Sequence, residues 1–263
     1  MENSPDYLPV GDPPRRIAIR ARSGTSPGLF WLGGFASDMK GTKAVALDDH
    51  AEKSGRACIR FDYAGHGESG EKFEDCTIST WLEDALAVFK NRAKGPQIVV
   101  GSSMGGWMAL LLARALANDP LLSQNAKLAG LILIAPAPDF TEELMWKNFS
   151  EEVRKQIETT GRWERPSAYG DNPYPITKKL IEDGRKHLLL GKPIQLKCPV
   201  RILQGVLDPD VPWQHAMKLV SCLAQDDVTM TLVKDGDHRL SRPEDIERLL
   251  KTVDELAAEV SAA

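Results

Sequence analysis

Residues 97–106 read QIVVGSSMGG and contain a Gly-x-Ser-x-Gly pattern centred on Ser103. Residues 98–100 are apolar, as in a buried strand, and the apolar run that continues to residue 117 is typical of a helix. Ser103 is therefore predicted at a sharp turn from strand to helix, with its hydroxyl at the carboxyl end of the strand. The partial positive charge of the helix N-terminus favours an anion that develops there. This arrangement predicts a nucleophilic serine, with a simple helix cap as the alternative.

A second Gly-x-Ser-x-Gly pattern, at residues 24–28, has a less suitable context. Ser26 falls between two short strand patterns, in a segment predicted as a hairpin. Pro27 follows this serine and has no N–H group to offer to an oxyanion. The pattern centred on Ser103 is therefore the better candidate for a nucleophilic serine.

Outward from Ser103, short apolar or β-branched runs alternate with helical patterns. This alternation is typical of an α/β fold, in which a mostly parallel sheet is covered by helices on both faces. The strands are predicted at residues 17–21, 29–32, 57–61, 98–101, 128–134, 200–204 and 230–233. The helices are predicted at residues 41–54, 80–92, 104–117, 213–223 and 243–261.

The chain is predicted to form one domain at residues 15–263, preceded by a flexible leader at residues 1–14. The alternation of strands and helices is interrupted at residues 139–197, where helical patterns at residues 142–159 and 176–190 flank a bridge rich in Pro, Gly and Asn. We interpret this insertion as a small helical cap or lid over the sheet. Extra helices packed on the sheet edge are the alternative.

The composition excludes several classes of protein. The chain has 263 residues, of which 42% are hydrophobic, so a globular core is expected rather than disorder. Its 33 Lys and Arg are mixed with 37 Asp and Glu, for a net charge of −4, and no basic face for nucleic acid is visible. The most apolar windows, residues 108–117 and 128–138, are too short to cross a bilayer, so no stable membrane insertion is expected.

The four cysteines and five histidines show no spacing typical of a disulfide framework or a zinc cage. We therefore expect no metal and no other cofactor. Residues 1–16 show neither the apolar core of a secretory signal nor the Arg- and Ser-rich pattern of a transit segment. The expectation is a cytoplasmic location, while the oligomeric state is left open.

A serine nucleophile needs a base and an acid that orients the base. His238 alone among the five histidines follows the last predicted strand, in a polar loop before the terminal helix. Asp208 lies just beyond the strand at residues 200–204 and is preferred to Asp210, which suits a capping role for the next helix. The order Ser103, Asp208, His238 is the order of nucleophile, acid and histidine in the α/β-hydrolase fold.

Two backbone N–H groups are predicted to receive the oxyanion. One belongs to Met104, directly after the serine, and the other to Phe35 in the glycine-containing loop at residues 33–37. A tight turn without function is the alternative for that loop. His66 is expected in a turn near the site, because it follows the third predicted strand.

Six stretches carry a resemblance to a known family: residues 41–44 (GTKA), 57–63 (ACIRFDY), 95–98 (GPQI), 101–107 (GSSMGGW), 211–213 (VPW) and 237–239 (DHR). They resemble mitochondrial acyl-glucuronide esterases and palmitoyl-protein thioesterases, with their bacterial relatives, within the α/β-hydrolase superfamily. The likeness runs from about residue 30 to the C-terminal helix and is weakest in the predicted cap. It implies an α/β-hydrolase fold, a triad of Ser103, Asp208 and His238, and acyl esters or thioesters as substrates.

The expected function is that of a cofactor-independent serine hydrolase. Its expected substrates are acyl esters or thioesters, and acylated proteins are candidates among them. Five apolar residues are predicted to line an acyl pocket, with simple packing as the alternative: Trp107, Leu144, Met145, Trp146 and Phe149. A general carboxylesterase, a perhydrolase and a carbon–carbon hydrolase use the same triad and stay open. An inactive receptor built on the same fold is a further alternative.

Overall fold

The computed structural model describes residues 4–166, 173–223 and 227–262. Its strands are β1 (Asp6–Val10), β2 (Arg15–Arg22), β3 (Thr25–Leu32), β4 (Arg56–Phe61), β5 (Gly95–Ser102), β6 (Ala126–Ile134), β7 (Arg162–Arg165), β8 (Tyr174–Thr177), β9 (Val200–Gly205) and β10 (Val228–Val233). Eight of these strands form one sheet in the order β1-β2-β4-β3-β5-β6-β9-β10. All neighbours from β4 to β10 are parallel, and β1 and β2 add an antiparallel edge. The predicted α/β class with a mostly parallel sheet is confirmed.

The helices are α1 (Thr42–Ser54), α2 (Ile78–Arg92), α3 (Met104–Asn118), α4 (Glu151–Thr160), α5 (Lys178–Gly184), α6 (Trp213–Cys222) and α7 (Pro243–Ala262). The five helices predicted from the sequence are all present, with ends shifted by no more than about two residues. The largest shift is at α2, where the Thr77 side chain accepts from the Thr80 N–H and so starts the helix earlier than predicted. Among the helices of the described residues, none has the length and apolar character that a bilayer crossing requires.

The central strands of the sheet are buried on both faces, and β3 shows how the side chains divide between these faces. Phe30 and Leu32 pack with residues of α2 and α3, whereas Leu29 and Trp31 pack with residues of α1 and α7. This alternation follows from the two-residue period of a strand. The parallel strands therefore end together at one edge of a covered sheet, where loops can collect polar side chains.

The predicted hairpin between the first two strands is wrong. β2 pairs antiparallel with β4, and β3 pairs parallel with both β4 and β5. Residues 27–32 of β3 are all buried. A strand that is apolar on both faces needs helices on either side, so β3 takes a central place instead of an edge beside β2.

The structure differs from the predicted flexible leader over residues 6–10. These residues form β1, which pairs with β2 from Asp6 opposite Ile19 to Val10 opposite Arg15. Pairing satisfies the backbone groups of an otherwise exposed strand edge, and Val10 is buried in the core. Residues 1–3 of the predicted leader lie outside the described residues.

The insertion between β6 and β9 begins with helical turns at Thr141–Met145 and Trp146–Asn148, followed by α4, β7, β8 and α5. Part of the predicted bridge, residues 167–172, lies outside the described residues. The strands on either side of it, β7 and β8, pair antiparallel, which the helical patterns did not indicate. The reading of residues 139–197 as a cap stays a prediction.

A buried carboxylate fastens the beginning of the insertion to its end. Asp139 is 2% exposed, and its oxygens accept from the backbone N–H groups of Leu189 and Leu190 at 2.8–3.0 Å. Burial raises the pKa of this carboxyl group, while the two N–H donors oppose the shift. The two ends of the insertion are therefore held side by side near the carboxyl edge of the sheet.

Candidate active site

Ser103 lies at the turn between β5 and α3 in a backbone conformation with φ 55° and ψ −116°. A positive φ is rare for a residue with a side chain, so neighbouring groups must hold the turn. The Ser103 N–H donates to the Ile134 carbonyl at 2.9 Å, and the Ser103 carbonyl accepts from Ala137 at 3.1 Å. Position 105, in the first turn of α3, requires glycine because a Cβ there would lie 2.0 Å from the Leu32 carbonyl oxygen.

His238 reaches the serine from the loop after β10. Its Nε2 lies 3.1 Å from Ser103 Oγ, and its Nδ1 lies 2.8 Å from Asp208 Oδ2. Because a carboxylate only accepts, the Nδ1 proton is donated to Asp208 and the lone pair of Nε2 faces the serine hydroxyl. The three residues predicted from distant strand ends thus form one line of hydrogen bonds.

The Asp208 carboxylate is fixed on every side. Its side chain is fully buried, and Oδ1 accepts from the N–H groups of Asp210 and Val211 at 2.9 and 2.8 Å. Oδ2, which faces His238, also accepts from the Gln204 amide at 3.3 Å. The preference for Asp208 over Asp210 agrees with this geometry, since Asp210 directs Oδ1 toward Arg165 at 3.8 Å.

The predicted oxyanion donors flank the serine. A Cβ placed at Gly34 would lie 3.5 Å from Ser103 Cβ, so the loop after β3 passes directly beside the nucleophile. Phe35 follows in this loop, and Met104 opens α3, where the first N–H groups have no partner within the helix. Within the part of the chain that is described, no hydrogen-bond acceptor is found for the Phe35 or Met104 N–H. Both residues line the cavity over Ser103, and their role as oxyanion donors stays a prediction.

That cavity has a volume of about 460 Å³ and is bounded by two chemically different walls. The insertion contributes the mostly apolar wall, which consists of Phe140, Leu144, Met145 and Tyr174 together with Arg165. The loop after β3, the start of α1 and the loop of His238 contribute the polar wall, which consists of Ser37, Asp38, Thr42, Lys43 and Arg239. Ser103, Met104, Phe35 and His238 line the same cavity.

Only part of the predicted acyl pocket lies on this cavity. Leu144 and Met145 line it, but Trp107, Trp146 and Phe149 do not. Trp107 is fully buried under the cavity wall, with its ring edge-on to Phe140. Trp146 lies beside the guanidinium groups of Arg154 and Arg185, and Phe149 packs on Trp163. Trp107 lies on the packed face of α3, whereas Trp146 and Phe149 miss the cavity because the insertion turns through short helices of irregular pitch, which the uniform helical pattern did not anticipate.

Phe140, Tyr174 and Arg165 line the cavity but were not predicted to do so. Tyr174 and Arg165 come from β8 and β7, and no local pattern distinguishes their positions. Their contribution depends on how the insertion folds back over the sheet. A signal for Phe140 was its place at the end of the loop that follows β6, close to the carboxyl edge.

Lys43 is a half-buried cation of the polar wall. Its Nζ donates to the Arg239 carbonyl and to Ser241 Oγ. Burial lowers the pKa of Lys43 to about 8, although Asp237 and Asp245 oppose this shift. The charge on this wall therefore changes in the mildly alkaline range.

Among the described residues, one group of three side chains has spacing that would suit a cation: Asp208, Asp210 and His238, with ligand atoms within 4.8 Å of one another. A metal ion there would need the lone pair of His238 Nδ1, which now carries the proton shared with Asp208. The donor set fits the hydrogen-bond relay without an ion, so the group offers no separate cofactor site.

The fold and this line of hydrogen bonds define a hydrolase of the α/β-hydrolase class. The family described as Alpha/beta hydrolase family matches residues 23–249, and the chain belongs to this family. It is 36% identical to a curated protein of Bos taurus, palmitoyl-protein thioesterase ABHD10, mitochondrial, over 93% of this chain and 78% of that protein.

Two solved structures extend the similarity. A putative hydrolase from Agrobacterium vitis S4 is 46% identical, with a TM-score of 0.92 over 96% of this chain and 98% of the other. The α/β-hydrolase domain-containing protein 10 from mouse is 35% identical, with a TM-score of 0.86 over 98% of this chain and all of the other. The predicted resemblance to this thioesterase family is therefore confirmed.

The prediction of a cytoplasmic location is wrong. The curated relatives from cow, human and mouse are all named as mitochondrial proteins. The prediction rested on the composition of residues 1–16, and a local composition of that kind does not determine the compartment.

Proposed function

We propose that this chain is a serine hydrolase that cleaves acyl thioesters and acyl esters through an acyl-enzyme on Ser103. The observation that carries the proposal is the relay from Asp208 through His238 to Ser103, with contacts of 2.8 and 3.1 Å. Its position beneath a cavity with two unpaired backbone donors supports the same reading. A nucleophile, a base, an orienting acid and an oxyanion site are the complete set that acyl transfer requires.

In the first half of the reaction, Nε2 of His238 takes the Ser103 proton as Oγ attacks the acyl carbonyl carbon. The carbonyl π electrons move to oxygen, and the resulting oxyanion accepts from the Phe35 and Met104 N–H groups. Asp208 stabilises the imidazolium that forms. When the tetrahedral adduct collapses, His238 gives its proton to the departing sulfur or oxygen, and the acyl group stays on Ser103.

In the second half, a water molecule takes the place of the leaving group. His238 removes a proton from this water as it attacks the acyl-enzyme carbonyl, and the same two N–H groups donate to the second oxyanion. Collapse returns the proton to Ser103 Oγ and releases a carboxylic acid. The serine and the histidine are then in their starting states.

The names of the relatives, palmitoyl-protein thioesterase, favour a long-chain acyl thioester on a protein cysteine as the substrate. The apolar wall supports this choice, because Phe140, Leu144, Met145 and Tyr174 offer a surface to an alkyl chain. The polar wall beside His238 suits the leaving group, which must lie within reach of the Nε2 proton.

The test compares kcat/KM for a palmitoylated peptide thioester, an acyl glucuronide and a p-nitrophenyl ester, each with the wild type and with Ser103→Ala. The proposal predicts hydrolysis of the thioester that is lost in the variant. Similar constants for all three substrates would reduce the function to a general carboxylesterase. Folded wild type that hydrolyses none of them would favour a different reaction of the fold or a receptor.

A further inference from the structure

The loop that carries Phe35 is held from behind by two side chains of the loop that follows β4. The Ala36 N–H donates to Nε2 of His66 at 3.2 Å, and the Met39 N–H donates to Oδ1 of Asp62 at 2.7 Å. Ala36 has a φ of 53°, a region that residues with side chains rarely adopt. An acceptor for its N–H therefore stabilises a strained peptide directly after Phe35.

The second ring nitrogen fixes His66 as an acceptor. Nδ1 lies 3.1 Å from the Ala64 carbonyl oxygen, which can only accept, so the ring proton is on Nδ1. The lone pair of Nε2 then faces the Ala36 N–H. His66 is 4% exposed, and burial lowers its pKa to about 4, which keeps the ring neutral and able to accept near neutral pH.

The ring of His66 has little freedom to turn. It packs edge-on against three aromatic rings, those of Tyr63, Phe73 and Trp81. The Trp81 indole N–H donates to the same Ala64 carbonyl at 3.0 Å, so the acceptor of the His66 Nδ1 proton is itself held in place. A rigid support of this kind places a loop more accurately than a solvated side chain does.

We propose that His66 is a positioning residue for the oxyanion hole: by accepting from Ala36, it orients the preceding peptide so that the Phe35 N–H faces the space over Ser103. The inference rests on the proposed function. His66 does not line the cavity, and it acts on the reaction only through this loop. Because an oxyanion donor matters most in the transition state, its misplacement lowers kcat more than it raises KM.

The experiment compares His66→Asn with His66→Gln, using the palmitoylated peptide thioester. The Asn side chain reaches only the position of Nδ1, where its amide N–H can still donate to the Ala64 carbonyl. The longer Gln side chain brings its amide oxygen to the position of Nε2, where it can accept from the Ala36 N–H. His66→Asn is expected to lower kcat by about tenfold to a hundredfold with KM changed less than about threefold. His66→Gln is expected to restore most of kcat, and His50→Asn, at a histidine that does not line the cavity, serves as the matched control.

An unchanged kcat in folded His66→Asn, or equal losses in the Asn and Gln variants, would overturn the inference. If either variant does not fold, ¹⁵N NMR of the histidine side chains in the wild type tests the inference instead. The inference requires an unprotonated Nε2 in His66, and a proton on that nitrogen at neutral pH would contradict it. Failure of the proposed function looks different, because the wild type would then show no hydrolysis that depends on Ser103.

Discussion

The ring of Phe35 meets the ring of Tyr174 edge-on, with centroids 5.6 Å apart. This contact joins the loop beside Ser103 to strand β8 of the insertion. Phe140, at the start of the insertion, packs against the same Phe35 ring at 5.4 Å. The residue whose N–H is proposed to receive the oxyanion is therefore also part of the apolar wall.

The first prediction concerns the choice of acyl chain. Leu144→Ala removes part of the apolar wall, and we expect it to lower the ratio of kcat/KM for long over short p-nitrophenyl esters by about tenfold, the scale of one or two buried methylene groups. Trp146→Ala and Phe149→Ala serve as controls, since neither residue lines the cavity. A larger shift in either control than in Leu144→Ala would contradict this assignment of the wall.

The second prediction separates the two aspartates that follow β9. Asp208→Asn offers an amide N–H to His238 and favours the wrong tautomer, so kcat should fall by about 10³-fold to 10⁴-fold. Asp210→Asn leaves the relay intact and should stay within about threefold of the wild type. Steady-state kinetics with both proteins at equal folded concentration provide the measurement. A loss confined to Asp210→Asn would assign the acid role to the other residue.

The third prediction tests the packing of the turn that carries the serine. A Cβ at Gly105 would meet the Leu32 carbonyl oxygen at 2.0 Å, whereas a Cβ at Gly70 would come no closer than 3.6 Å to its neighbours. Gly105→Ala should therefore lower the free energy of unfolding by at least about 2 kcal/mol and abolish hydrolysis. Gly70→Ala should change that free energy by less than about 1 kcal/mol. Urea unfolding measures the free energy of unfolding of both variants. Equal losses in the two would mean that the backbone at Gly105 can shift freely, which would contradict the prediction.

The fourth prediction concerns acid stability. The pKa of His66 falls from 6.5 to about 4 on burial, against the opposing influence of Ala64 and Asp38. Between these values the unfolded chain binds a proton that the folded chain excludes, so stability is lost as the pH falls from about 6.5 to about 4. Relative to His66→Gln, the wild type should lose about 1.4 kcal/mol per pH unit in this window.

The comparison with His66→Gln is needed because Asp84 acts in the opposite direction. Burial raises the pKa of Asp84 to about 6, so the folded chain holds a proton there that the unfolded chain has released, and this contribution to stability is lost as the pH rises through the same range. Both proteins contain Asp84, and its effect cancels in the difference. Parallel stability curves for the wild type and His66→Gln would contradict the neutral, buried His66.

The sequence predicts the relay well because each member has a local signal. Ser103 lies in a strand, turn and helix pattern, and Asp208 and His238 follow strands whose carboxyl ends must meet at one edge of a parallel sheet. Such reasoning needs only the direction of the strands and their order along the chain. The closeness of Ser103, Asp208 and His238 then follows from the shared edge at which their strands end.

Features that depend on contacts between distant segments were not predicted. The central place of β3 depends on two neighbours far along the chain. The pairing of β1 with β2 is local, but it uses an edge that the sequence does not mark. The walls of the cavity depend on how residues 139–197 fold back. His66 was expected only in a turn, because its acceptor role requires the Ala36 N–H of another loop.

The central claim is that Ser103 is the nucleophile, and its covalent labelling by a fluorophosphonate probe tests this most directly. Intact-mass and peptide mass spectrometry should find one adduct on the wild type, located on Ser103, with none on folded Ser103→Ala and much slower labelling of His238→Ala. A folded wild type that stays unlabelled, or a Ser103→Ala variant labelled as fast as the wild type, would contradict the account.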